Sequence, residues 1–257
     1  MSGFVELSAR SSFSFLRGAS HPEEMIEQAC ALGLAGITLC DRDGLYGVAR
    51  AHAKAKEIGQ TFHLGAELPL AFSERELQAG LADAILGPLS ERQRRQLVRG
   101  ARPNALRKRL LVEDGYPSVH LIVKSLQGYQ NLCWLLTLAH ADLPKGECLL
   151  ELDQLQGKTD GLIALIPTQI SLSAQAGEVD AFPERMLGQL RDLFHAQRAL
   201  YSVTYRRLNR NDSLRQAIAL QREQRHDTPI LASAWPTYHC KSRKRLADVL
   251  QCTRDRT

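Results

Sequence analysis

Phe4–Ser20, FVELSARSSFSFLRGAS, decides how the rest of the chain is read. Phe4-Val5-Glu6-Leu7 predicts a short buried strand, the serines after it a turn, and Ser20 the approach to a helix. Working outward, Ser20 and Glu23 form a capping-box pattern with Pro22 in the first turn of a helix over His21–Leu32, which Gly33 stops. Gly36-Ile37-Thr38-Leu39-Cys40 predicts a second strand ending at Asp41. A helix over Leu45–Ile58, with Val48, Ala49, His52 and Ala55 facing inward, ends at Gly59. Phe62–Glu67 is the third strand. Apolar strands separated by amphipathic helices predict a parallel sheet with helices packed outside it.

The rhythm breaks at Ser73. Residues 73–111 predict an insertion of mostly helical pieces cut by Pro88, Gly100 and Pro103. Alternation then resumes with a strand over Ser118–Val123 and a helix over Leu126–Ala139, with Tyr129, Leu132, Cys133 and Leu136 on one side. Strands follow at Gly161–Ile166, Ala199–Tyr205 and Pro229–Ser233, with helices over Pro183–Phe194, Asp212–Glu223 and Ser242–Leu250. Seven strands and no linker, repeat or low-complexity segment predict one α/β domain over residues 1–257, a distorted (β/α)7-type barrel.

Composition narrows the classes. A hydrophobic share of 44% and a charged share of 24% are those of a soluble globular protein. No apolar run reaches the length of a membrane span and the N-terminus has no apolar signal region, so a cytoplasmic protein without membrane contact is expected. Six cysteines without a C-x-x-C pair predict buried free thiols rather than disulfides or a zinc site. The net charge of +5 is less telling than its distribution. Arg92, Arg94, Arg95, Arg99, Arg102, Arg107, Lys108 and Arg109 follow one another with no acidic residue between them. They read as a solvated helix face or as weak, sequence-independent contacts to nucleic-acid phosphates.

In a parallel barrel the functional groups gather at the C-terminal ends of the strands. Those positions hold Ser8 and Arg10, then Asp41 and Arg42, then Glu67. Further on stand Pro167, Thr168 and Gln169, and finally Trp235, Thr237 and His239. His120 lies within the fourth strand. A metal site needs several imidazoles and carboxylates converging on one point. Asp41, Glu67, His120 and His239 are the only candidate set, and they share the rim with two arginines, which cannot ligate a metal.

The order of motifs resembles the polymerase-and-histidinol-phosphatase (PHP) domain of bacterial C-family DNA polymerases, and most closely its error-prone branch. The resemblance is carried by Phe13-Ser14-Phe15-Leu16-Arg17-Gly18-Ala19-Ser20-His21-Pro22-Glu23-Glu24, Leu45-Tyr46-Gly47, Gly65-Ala66-Glu67, His120-Leu121-Ile122-Val123, Gly128-Tyr129-Gln130-Asn131-Leu132 and Arg245–Cys252. It implies a PHP barrel and a place in damage-induced, translesion DNA synthesis and repair. It also implies contact with the remaining polymerase domains, and with a clamp or accessory mutagenesis proteins.

The family's metal-site pattern fits these residues badly. Its His-x-His pair falls on Ser8 and Arg10, its Asp-His pair on Asp41 and Arg42, and its late Asp-x-His pair on Trp235 and Thr237. Only Asp41 and the Glu67 of the Gly-x-Glu motif remain. The resemblance therefore implies a degenerate site with a structural or docking role and no cofactor of its own. Alternatives are a surviving metal-dependent phosphoesterase or exonuclease, or a stand-alone nucleic-acid-binding domain acting through Arg92–Arg109. The carboxylates that hold Mg2+ in such polymerases lie in a palm region after this domain, and the chain stops at Thr257, about where that region is expected to begin. Two expectations concern the vacated site: Trp235 plugs the barrel mouth, and Arg10 and Arg42 pair with Asp41 and Glu67.

Overall fold

Near-continuously buried apolar strands and strong helix stops produce the predicted alternation. The computed structural model describes residues 3–72, 117–141, 143–168, 184–205 and 211–255. The first half runs β1 (Val5–Ala9), α1 (Pro22–Ala31), β2 (Gly36–Arg42), α2 (Val48–Ile58) and β3 (Phe62–Ala71). Then come β4 (Ser118–Val123), α3 (Leu126–Ala141), β5 (Leu150–Glu151) and β6 (Leu162–Pro167). The described chain closes with α4 (Glu184–Phe194), β7 (Leu200–Thr204), α5 (Asp212–His226), β8 (Ile230–Ala232) and α6 (Lys244–Asp255). The expected insertion at 73–111, with its run of basic residues, lies outside the described residues.

Seven strands lie in the order β1-β2-β3-β4-β6-β7-β8, and β5 pairs with the far end of β3. The sheet is mixed rather than parallel, because β4 runs antiparallel to both β3 and β6. An apolar run such as Ser118–Val123 is buried whichever way it points, so its composition cannot reveal direction. The two-residue β5 is too short to show periodicity and was not expected.

The main core lies between the sheet and α3 and α4, around Leu68, Leu121, Leu135, Ile166 and Phe194. A second cluster packs α1 and α2 on β1 and β2 through Ile26, Ile37, Leu39 and Ala51. A third fills the other face of the sheet with Cys40, Ile122, Leu165 and Val203. Two helix faces differ from expectation. In α2 the buried residues are Ala51 and Ala55, while His52 is exposed. In α3 they are Gly128, Asn131, Leu132, Leu135 and Ala139 rather than Tyr129 and Cys133. The N-cap of α1 is His21, whose amide donates to Glu24 Oε2 at 2.7 Å, one residue later than the pattern suggested. All six cysteines are free, but only Cys40 and Cys148 are buried.

Among the described residues β1 and β8 form no ladder with each other, so the sheet curls without closing. Side chains and loops bridge the gap. Glu6 Oε1 accepts from the Ser233 hydroxyl and from the Ser8 amide at 2.9 Å, and Glu6 Oε2 accepts from the Ala234 amide at 2.8 Å. Farther along, the Arg10 and Ala19 amides donate to Pro236 O and Thr237 O at 2.9 and 2.8 Å.

Candidate functional site

Strand register fixes which rim residues meet. Successive strand side chains point to opposite faces, and residues opposite one another in a ladder share a face. Arg42 stands opposite Glu67, and Glu67 opposite His120, so these three form one row across β2, β3 and β4. Asp41 stands opposite Ala66, whose side chain joins the helix-side core. Asp41 and Glu67 therefore project to different faces rather than into one cluster with both arginines.

Glu67 is buried and doubly paired. Its Oε2 accepts from Arg10 Nη2 and its Oε1 from Arg42 Nη1 at 3.1 Å. Burial alone would raise this carboxyl, but the two guanidiniums outweigh it and hold it well below the usual carboxylate range. Arg10 also lies over the Trp235 ring, 4.7 Å from its centroid, in a cation–π contact. Trp235 makes edge contacts with His120 at 5.0 Å and Tyr205 at 5.1 Å. Its backbone is left-handed, at φ 47°, a conformation bulky residues rarely adopt. Thr237 contributes only its backbone carbonyl, which receives Ala19 N.

His120 is fully buried, with Nδ1 3.0 Å from Ser8 Oγ and Nε2 3.9 Å from Glu67 Oε2. Burial pushes its pKa down to about 4, although Glu67 pulls it the other way, so the ring is neutral at pH 7. The Ser8–His120–Glu67 line resembles a nucleophile with its base and acid. However, Ser8 and His120 have no exposed surface, so no substrate reaches them.

Asp41 is held by a different set of groups. Its Oδ1 accepts from the Ser11 amide and the Ser14 hydroxyl, both at 2.7 Å, and its Oδ2 accepts from the Ser11 hydroxyl at 2.6 Å. The Ser-rich turn that opens the sequence is thus wrapped around this carboxylate. Gly18 closes the turn where no other residue fits, since a Cβ there would stand 1.9 Å from Ser11 O. The expected pairing of Arg10 and Arg42 with Asp41 does not occur; both arginines go to Glu67.

The candidate metal set is likewise not assembled. His239 Nδ1 stands 2.8 Å from Ser20 Oγ and 3.7 Å from Glu24, away from Asp41 and Glu67. Among the described residues no three His, Cys, Asp or Glu side chains are placed to hold a metal ion. The donors around Glu67 are guanidinium N–H groups, and the oxygens of Asp41 face amide and hydroxyl donors. These residues do not fit a divalent cation. Thr168 is buried and donates to Val203 O at 3.1 Å, while Gln169 and the residues from Arg92 to Arg109 lie outside the described residues. Ser11, Ser14, Glu6 and Ser233 belong to this network and were missed as site residues. The serine-rich turn was visible in the sequence, but its target was not.

Comparison with known proteins assigns the architecture. The PHP domain model matches residues 6–206, and the chain belongs to the PHP domain family. It is 30% identical over 264 residues to an error-prone DNA polymerase of Bdellovibrio bacteriovorus, covering 98% of this chain and 19% of that protein. It is 31% identical over 263 residues to an error-prone DNA polymerase of Anaeromyxobacter dehalogenans, covering 99% of this chain and again 19% of the relative. The chain thus spans about a fifth of the length of these relatives, matching their N-terminal region. A solved two-domain protein from Bacteroides vulgatus, containing a predicted PHP-like metal-dependent phosphoesterase, superposes with a TM-score of 0.52. That match has 10% identity and covers 93% of this chain and 53% of the other. Among the described residues no helix is long and apolar enough to cross a membrane.

Proposed function

We propose that this chain is the PHP module of a damage-induced, translesion DNA polymerase and serves it in the cytoplasm as a structural and docking platform. The observation that carries this reading is Glu67. The carboxylate of the Gly-x-Glu motif is occupied by Arg10 and Arg42, and Trp235 stacks on Arg10 where the family pattern has a ligand. Likeness along nearly the whole chain to error-prone polymerases supplies the context. Nucleotide transfer and its Mg2+ belong to the rest of such a polymerase. Clamp or accessory mutagenesis proteins are its natural partners. Any DNA contact made by the Arg92–Arg109 segment is weak, nonspecific and salt-sensitive.

Metal analysis of protein purified without chelator, paired with a phosphoester hydrolysis assay, tests the non-catalytic half of this reading. The expected result is a substoichiometric metal content and no metal-stimulated hydrolysis. About one zinc or manganese per chain, with hydrolysis abolished by Glu67→Gln, would overturn it.

A further inference from the structure

Helix α3 carries an outer face that is largely apolar. Its sixteen residues, LQGYQNLCWLLTLAHA, contain no Asp, Glu, Lys or Arg. The inner side supplies Leu132, Leu135 and Ala139 to the core. The outer side of such a helix is ordinarily charged. Here it shows Leu126 at 74% exposure, Tyr129 at 42% and Trp134 at 53%. Beside its C-terminal half an open groove runs between Leu136, Thr137 and His140 and the loop Asp43–Tyr46. Tyr46 stands on that loop, 60% exposed.

The face is rigid. Gly128 packs so tightly on Gly161 that a Cβ would meet its carbonyl oxygen at 1.9 Å. Asn131 Nδ2 donates to Asp160 O at 2.9 Å. At the other end His140 bridges Glu147 O at 3.0 Å and Asp43 O at 2.8 Å. Exposed aromatic side chains on a fixed support are the ingredients of an interface anchor, since little ordering remains to be done on binding. Lys158 Nζ lies over the Trp134 ring, 5.4 Å from its centroid, and helps to hold that side chain in place.

We infer that the outer face of α3, with the groove at Tyr46, is where the body of an error-prone polymerase docks on this domain. The inference rests on the module reading above and adds the surface. The choice of occupant comes from length: the relatives match this chain along nearly all of it, yet four-fifths of each relative lies outside the match. That remainder is the protein mass available to cover an apolar face of this size.

Photo-crosslinking in the producing cell tests it, with p-benzoylphenylalanine placed in separate experiments at Trp134, at Leu126 and, as a control, at Arg191 on α4. The expected result is that the α3 probes capture peptides of an error-prone polymerase from outside the region this chain matches. Capture of those peptides at Arg191 but not on α3 would overturn the surface and leave the module reading standing. Capture of them at none of the three positions would overturn both. Light scattering of the purified chain should show a monomer for wild type and Trp134→Asp alike. A wild-type dimer that Trp134→Asp dissociates would give the face to a second copy and overturn the inference.

Discussion

Asp41 and Glu67 lie on neighbouring strands and are both buried. They are stabilised in different ways. Glu67 is met by two guanidinium charges from β2 and from the turn after β1, whereas Asp41 is met by two serine hydroxyls and one amide. Charge compensation needs a partner of fixed sign, brought in from another strand. Hydrogen-bond solvation needs only a short loop folded over the carboxylate. Each carboxylate is thus satisfied according to the face of the sheet it occupies. The Glu67 side is the more fragile, because a single side-chain change there alters the charge balance of a buried site.

The largest effect expected from this contrast comes from Arg10→Met. Removing the buried guanidinium leaves Arg42 as the remaining guanidinium on Glu67 and should cost about 3–5 kcal/mol in urea unfolding. Arg191→Met, on an exposed ion pair, should stay within about 0.5 kcal/mol. Equal losses in the two variants would remove the distinction between a structural pair and a solvated one.

Acid titration should give the next largest effect. His120 in the unfolded chain titrates near 6.5, whereas the buried ring takes up a proton only at about 4. Between those values the unfolded state holds a proton that the fold excludes, so stability falls as pH drops from 6.5 towards 4. The loss over that window is about 3 kcal/mol. Glu67 acts in the same direction lower down. Its depressed carboxyl stabilises the fold above its ordinary value of 4.5, and that contribution is lost progressively as pH falls below it. Chemical unfolding at a series of pH values should therefore show two limbs, and His120→Gln should flatten the upper one only. A variant curve parallel to wild type would assign that limb to other groups.

The smallest effect expected is on the hydroxyl side. Ser14→Ala removes one donor to Asp41 and leaves two, so the loss should be about 1.5–3 kcal/mol, below that of Arg10→Met. Calorimetry of both variants in one buffer decides the order. If Ser14→Ala costs as much as Arg10→Met, hydroxyl solvation is no more forgiving than charge pairing.

How much of this was legible in the sequence follows from the same geometry. Seven strands, the stop at Gly59 and the unusual rim residues Arg10, Arg42 and Trp235 could be read from local pattern, because burial and turn chemistry are written locally. The reversed direction of β4 could not, since Ser118–Val123 is apolar whichever way it runs. The register of β2 on β3 is a pairing fact, and without it the sequence cannot tell that Arg42 rather than Asp41 faces Glu67. His239 was read as a rim residue by its position after the last strand. Its partners, Ser20 and Glu24, lie more than two hundred residues earlier, and no spacing rule reaches that far.

The stitch between Glu6 and Ser233 also bears on how the chain is made. The two residues are 227 positions apart, so Glu6 leaves the ribosome long before the hydroxyl that completes its shell exists. At synthesis rates of about 5–20 residues per second the wait is on the order of 10–50 seconds. During that time β1 can pair with β2, but its carboxylate has only water and the Ser8 amide as company. The N-terminal strand is therefore the first part made and among the last to be finished.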